Sequence, residues 1–139
     1  MVSATSMLCF TGVLLFLIGL ATGFAIPALK APRIGLSAHL AATQMGIALI
    51  AFGLLWERLN FWDGWSVPLA LILWLSFYAI WAGTVLGAVW GTGRTLPIAG
   101  AGLQAMKWQE QAAFLPLVMG SIASFGVIVM LLVQWRWKI

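Results

Sequence analysis

One histidine, His39, stands inside an otherwise apolar run, and its type and setting imply chemistry more directly than any other residue of the chain. An imidazole in a hydrocarbon environment is costly unless it is hydrogen-bonded, binds a metal or faces water. Three roles are therefore open to it: a polar group bonded to a neighbouring helix, a metal or haem ligand, or a proton-handling group. Thr43 follows one helical turn later, and Tyr78 and Trp81 lie one turn apart in a separate apolar run. These three are weak catalytic candidates whose simpler role, like that of Gln44, is packing and interhelical hydrogen bonding.

Other catalytic signatures are missing. The sequence holds no HExxH, no Walker loop and no GxSxG. Glu57 lies eighteen residues beyond His39, roughly 27 Å along a helix at 1.5 Å per residue, so it cannot orient the imidazole within one chain. The first apolar run has no acidic residue, which argues against a proton-coupled exporter built on a central carboxylate. Cys9 has no second cysteine to pair with and reads as a small packing residue.

The composition dictates where these residues sit. Of 139 residues, 63% are hydrophobic and 7% charged, against about 25% charged in a soluble domain. Too few charges remain to coat a globule, so lipid must solvate most of the surface. The net charge of +4 comes from seven basic residues scattered singly at the ends of apolar runs, where they snorkel to headgroups. No basic stripe exists to follow a phosphate backbone, and nucleic acid is excluded as a partner.

Four spans follow, making an all-α, four-transmembrane-helix bundle as one domain over residues 1–139. The first is expected at about 6–26, stopping at Pro27; without a basic leader it reads as a retained helix, not a cleaved signal. The second is expected at about 36–56 and is ended by Glu57-Arg58. The third covers about 67–90, with Pro68 in its first turn and Gly91-Thr92-Gly93-Arg94 breaking it. The fourth covers about 111–134, after a re-entrant or interfacial segment from Thr95 to Gln109. Trp56, Trp62 and Trp65 flank an Asp63-Gly64 turn as an aromatic belt, and Trp135, Arg136, Trp137 and Lys138 form a closing anchor. Lys30, Arg33, Arg94 and Lys107 fall on one membrane face and Arg58, Arg136 and Lys138 on the other. A difference of one cation leaves the orientation open. Small residues mark helix contacts: Gly12, Gly19 and Gly23; Ala42, Gly46 and Gly53; and a continuous glycine edge of Gly83, Gly87 and Gly91.

His39 lies near the face that carries Lys30, Arg33, Arg94, Lys107 and Glu110. Several nearby cations make it a poor hydrolytic dyad, but a sensible ligand for a haem whose propionates pair with Arg or Lys. Two segments go further. Pro32-Arg33-Ile34-Gly35-Leu36-Ser37-Ala38-His39-Leu40, followed by Gly46 and Gly53-Leu54-Leu55-Trp56, resembles the hydroxylaminobenzene mutase family. So does Trp81 with Trp90-Gly91-Thr92-Gly93-Arg94 and Pro97-Ile98-Ala99-Gly100-Ala101-Gly102. The family is distantly similar to styrene oxide isomerase. The resemblance implies a membrane isomerase that turns hydroxylaminobenzene into 2-aminophenol. It also implies haem b held by His39, with Arg94 and Arg33 as cofactor-binding cations, an iron acting as Lewis acid, and a homo-oligomer such as a trimer. The implied location is a bacterial inner membrane. Two positions depart from the family pattern: Met45 and Gly83 stand where relatives often carry asparagine. Two rival readings are a b-type electron-transfer cytochrome, which needs a second axial ligand, and a small-molecule transporter or scaffold.

Overall fold

The computed structural model describes residues 3–59, 61–62 and 64–134. Asp63 of the expected turn and the Trp135–Lys138 anchor lie outside the described residues. Four helices carry the fold: α1 (Ala4–Ala25), α2 (Pro32–Leu55), α3 (Ser66–Trp90) and α4 (Lys107–Val133). Each is long and apolar enough to cross a membrane, since about 20 residues at 1.5 Å span a 30 Å hydrocarbon core. The all-α, four-span expectation is met, and the chain is a multi-pass membrane protein.

Two boundaries differ from the sequence reading for local reasons. Helix α2 begins at Pro32, four residues early, because proline at the first helical position needs no N–H partner and has its φ already set. Pro27 likewise sits in a short 3-10 turn, Ile26–Ala28, so the α1–α2 connection is tight. Helix α4 begins at Lys107, where the Gln109 side chain accepts from the Met106 N–H at 3.0 Å and satisfies one free donor. Trp56 is also not a belt residue: it is 2% exposed, and its Nε1–H donates to Ser66 Oγ at 3.0 Å. Trp62 and Trp65 are exposed.

The helices form two antiparallel hairpins. Between α1 and α2 the backbones touch through glycine. A Cβ on Gly12 would lie 2.8 Å from the Gly46 carbonyl oxygen, and one on Gly46 would lie 2.7 Å from the Phe16 nitrogen. Between α3 and α4, Gly83 faces Ala113 and Leu117, and Gly120 faces Ser76 and Ile80. The expected glycine edge of α3 does not act as one surface. Gly83 meets α4, Gly87 faces Thr92 and Ile34, and Gly91 is the left-handed C-cap at φ 72°. A spacing of four drifts about 40° per step around a helix, so the three glycines face three neighbours.

Among the described residues the ring of helices is not closed. The hairpins join through α2–α3, with a smaller α1–α3 contact, while α4 packs on α3 alone. The core is centred on Leu8, Leu15, Leu49, Leu69, Leu73 and Phe77. The two hairpins leave much apolar surface to lipid, Phe24, Phe125 and Val133 among it.

Candidate active site

His39 lies about two turns into α2 and turns toward α1. Its Nδ1 is 2.7 Å from the Gly19 carbonyl oxygen. A carbonyl can only accept, so Nδ1 carries the hydrogen and Nε2 keeps its lone pair. The ring reaches that carbonyl because α1 has no side chain at position 23: a Cβ there would lie 2.8 Å from Nδ1 and 3.1 Å from Cε1. Nε2 has no hydrogen-bond partner among the described residues and is not among the buried unpaired polar atoms. It is therefore not sealed inside the bundle, and His39 lines a groove of about 400 Å³ with Leu20, Gly23, Phe24, Ile26 and Leu36. A backbone carbonyl on Nδ1 is the arrangement that fixes the tautomer of a metal-binding histidine and raises its basicity.

No cluster of three or more His, Cys, Asp or Glu that could hold a metal ion occurs among the described residues. A single imidazole with an unpaired nitrogen, on a residue that lines an apolar slot, fits a group that brings its own equatorial ligands, as haem does.

The other sequence candidates lie elsewhere. Tyr78 Oη donates to the Thr11 carbonyl at 2.8 Å, and Trp81 Nε1–H donates to Thr22 Oγ1 at 3.2 Å. Both tie α3 to α1, and neither lines the groove. Thr43 Oγ1 donates back to the carbonyls of His39 and Leu40 at 3.0 Å each, a common use of a helical threonine. Arg33 precedes His39 by six residues, about 240° around the helix, and opens into a different pocket with Lys30. Arg94 is exposed in the turns after α3.

Gly83, one of the two departures from the family pattern, packs too closely to admit an asparagine. A Cβ there would lie 2.7 Å from the Ala113 carbonyl oxygen, so an amide at this point would require α4 to sit further away. Met45 packs against the core cluster.

Glu110 is the feature that residue types alone did not bring out. It is 8% exposed, and its carboxylate accepts from the Arg94 N–H (3.3 Å), the Thr95 N–H (2.9 Å) and Thr95 Oγ1 (2.6 Å). A buried carboxylate needs such donors, and these pin the turn carrying Arg94 onto the first turn of α4. The only available signal was one acid in an apolar helix start, fifteen residues after a threonine. Glu110→Ala leaves the backbone N–H groups of Arg94 and Thr95 without their acceptor, while Thr95 Oγ1 keeps its bond to the main-chain carbonyl of residue 110. We expect it to cost about 2 kcal/mol, measured by thermal unfolding in detergent; an unchanged midpoint would show that the clamp carries no stability.

The class that fold and site define is a four-helix membrane protein with one unpaired imidazole nitrogen, on a residue that lines an apolar, lipid-side groove. Residues 4–136 match the styrene oxide isomerase family, and the chain belongs to that family. It is similar to hydroxylaminobenzene mutase HabA of Ectopseudomonas oleovorans, at 36% identity over 124 residues covering 88% of this chain and 92% of that protein. It is also similar to hydroxylaminobenzene mutase HabB of the same organism, at 37% over 117 residues covering 84% and 71%. The resemblance read from the two sequence segments is borne out. The chain is an isomerase.

Proposed function

We propose that this protein is a haem-dependent membrane isomerase that rearranges hydroxylaminobenzene-type aromatic N-hydroxylamines to 2-aminophenols. The observation that carries the cofactor assignment is the His39 imidazole, which lines an apolar groove with Nδ1–H committed to the Gly19 carbonyl and Nε2 unpaired among the described residues. The substrate class comes from the names of the two mutases.

Haem b, when bound, supplies an electrophilic iron that polarises the nitrogen–oxygen bond without net electron transfer. The protein's own part is to position, enclose and keep dry. His39 Nε2 would hold the haem iron, and the Gly19 carbonyl keeps its ring in one orientation. Leu20, Phe24, Ile26 and Leu36 form an apolar wall suited to an aromatic ring, and they exclude the water that would trap a cationic intermediate. In the reaction the nitrogen–oxygen bond breaks and a carbon–oxygen bond forms at the ortho carbon. The proton lost there is balanced by one gained on nitrogen, so no oxidant or reductant is consumed. Arg94, on the Glu110-pinned turn, is assigned to the haem carboxylates. The groove has a wall on one side only, and a second copy of the chain packed over it would enclose the bound group. A homo-oligomer, with a trimer as the order implied by the family resemblance, in a bacterial cell membrane completes the reading.

Gly23 tests the seat of the imidazole. Gly23→Ala places a methyl against Nδ1 and forces the ring off the Gly19 carbonyl. Haem affinity is expected to fall about 10- to 100-fold, read by titrating haem into detergent-purified protein; an unchanged affinity would contradict the assigned orientation. The reaction is tested by incubating haem-replete protein with hydroxylaminobenzene and separating the products by chromatography. The expected product is 2-aminophenol, and its absence would overturn the mutase assignment.

A further inference from the structure

A second pocket, away from His39, has the chemistry of an anion site. It encloses about 530 Å³ between the start of α2 and the connection to α4, and its lining includes Lys30, Pro32, Arg33, Ala99, Ala101 and Leu103. Among the described residues its charged lining side chains are these two cations, with no acid. On this membrane face the one acid, Glu110, is taken up by Arg94 and Thr95.

Lys30 is exposed at this end of the bundle. Its stem lies over the C-cap of α3, where a Cβ on Gly91 would be 3.3 Å from both Cδ and Cε. Its Nζ donates to the Gln104 carbonyl at 3.5 Å. Lys30 lines the pocket, and its ammonium has further donors to spare. Arg33, exposed on the first turn of α2, brings a guanidinium fork suited to paired phosphate oxygens. The rest of the wall is apolar and comes from the start of α2 and from the α3–α4 connection, at the ends of the spans.

We propose that this pocket binds the phosphodiester headgroup of an anionic phospholipid, with Lys30 and Arg33 on the phosphate and the alanine, proline and leucine wall against the glycerol backbone. Basic pockets between transmembrane helices are used in this way. The site is separate from the haem reading and does not depend on it.

The test uses the purified, haem-replete protein in neutral detergent, with native mass spectrometry and thermal unfolding as readouts. The probes are dioctanoyl phosphatidylglycerol, dioctanoyl phosphatidylcholine and inorganic phosphate. Phosphatidylglycerol is expected to give a saturable adduct of one lipid per chain and to raise the unfolding midpoint. Phosphatidylcholine should do neither at the same concentration. Lys30→Met with Arg33→Met is expected to weaken the phosphatidylglycerol adduct about thirtyfold, the factor two interfacial cations supply. If the double variant does not fold, the single Arg33→Gln and the salt dependence of wild-type binding carry the same test. Equal binding of the two lipids, or variants that bind phosphatidylglycerol like wild type, would overturn the proposal. Inorganic phosphate binding as tightly as the lipid would identify a soluble anion as the ligand and overturn the lipid assignment. Loss of the Soret band in the variants with lipid binding intact would assign the cations to the haem carboxylates instead.

Discussion

His39→Ala is expected to lower isomerase activity by about 10³-fold, since an electrophilic metal centre supplies several kcal/mol of transition-state stabilisation. The fold should survive. The side chain is half-buried and makes one interhelical hydrogen bond, worth about 1 kcal/mol. Circular dichroism should therefore report unchanged helix content, with a small drop in the unfolding midpoint. The cavity left beside Gly23 is the size of the lost ring, so added imidazole should return part of the activity. Activity within tenfold of wild type in the absence of imidazole would show that His39 does not hold the reacting centre.

The second large effect concerns stability. A side chain at Gly46 would meet the backbone of α1, with the Phe16 nitrogen at 2.7 Å, the Gly12 oxygen at 2.8 Å and Phe16 Cα at 2.9 Å. Backbone cannot rotate aside as a side chain can, so α1 and α2 must separate along a contact that also includes Gly19 and Gly53. In lipid, close packing is the main force holding helices together. Gly46→Leu is expected to cost on the order of 3 kcal/mol or more, measured by unfolding in a denaturing-detergent titration. Gly126 is the control, because nothing lies within 4 Å of a Cβ built there. Gly126→Ala should be neutral or stabilise α4 by up to about 1 kcal/mol. Equal losses at the two positions would mean that the α1–α2 contact is not the one that matters. Because His39 bonds across the same contact, Gly46→Leu should also remove haem binding.

The four spans were legible because membrane solvation leaves so strong a mark on composition: too few charges, and apolar runs of full crossing length. The glycines of α1 and α2 were legible too, since antiparallel helices this close need small residues on both partners. The α3 glycines were not. Their spacing looked like one edge, but helical drift and the left-handed cap at Gly91 gave each a separate task. The start of α2 was hidden because Pro32 signals both a loop and a first helical turn, and only the fold decides between them. His39 was legible as a residue of interest, but its tautomer was not: the Gly19 carbonyl that sets it is a backbone atom twenty residues away. Arg33 shows the limit of proximity in sequence, since six residues of helix turned it to another pocket. Glu110 was missed for a related reason, as its partners are mostly backbone N–H groups of a turn.

The central claim is that His39 Nε2 holds a haem at the α1–α2 groove, and the visible absorption spectrum of the detergent-purified protein tests it most directly. Wild type supplied with haem is predicted to show a Soret band near one haem per chain, lost in His39→Ala and regained when imidazole is added. A wild-type protein that stays colourless after haem supplementation, or a Soret band unchanged by His39→Ala, would contradict it.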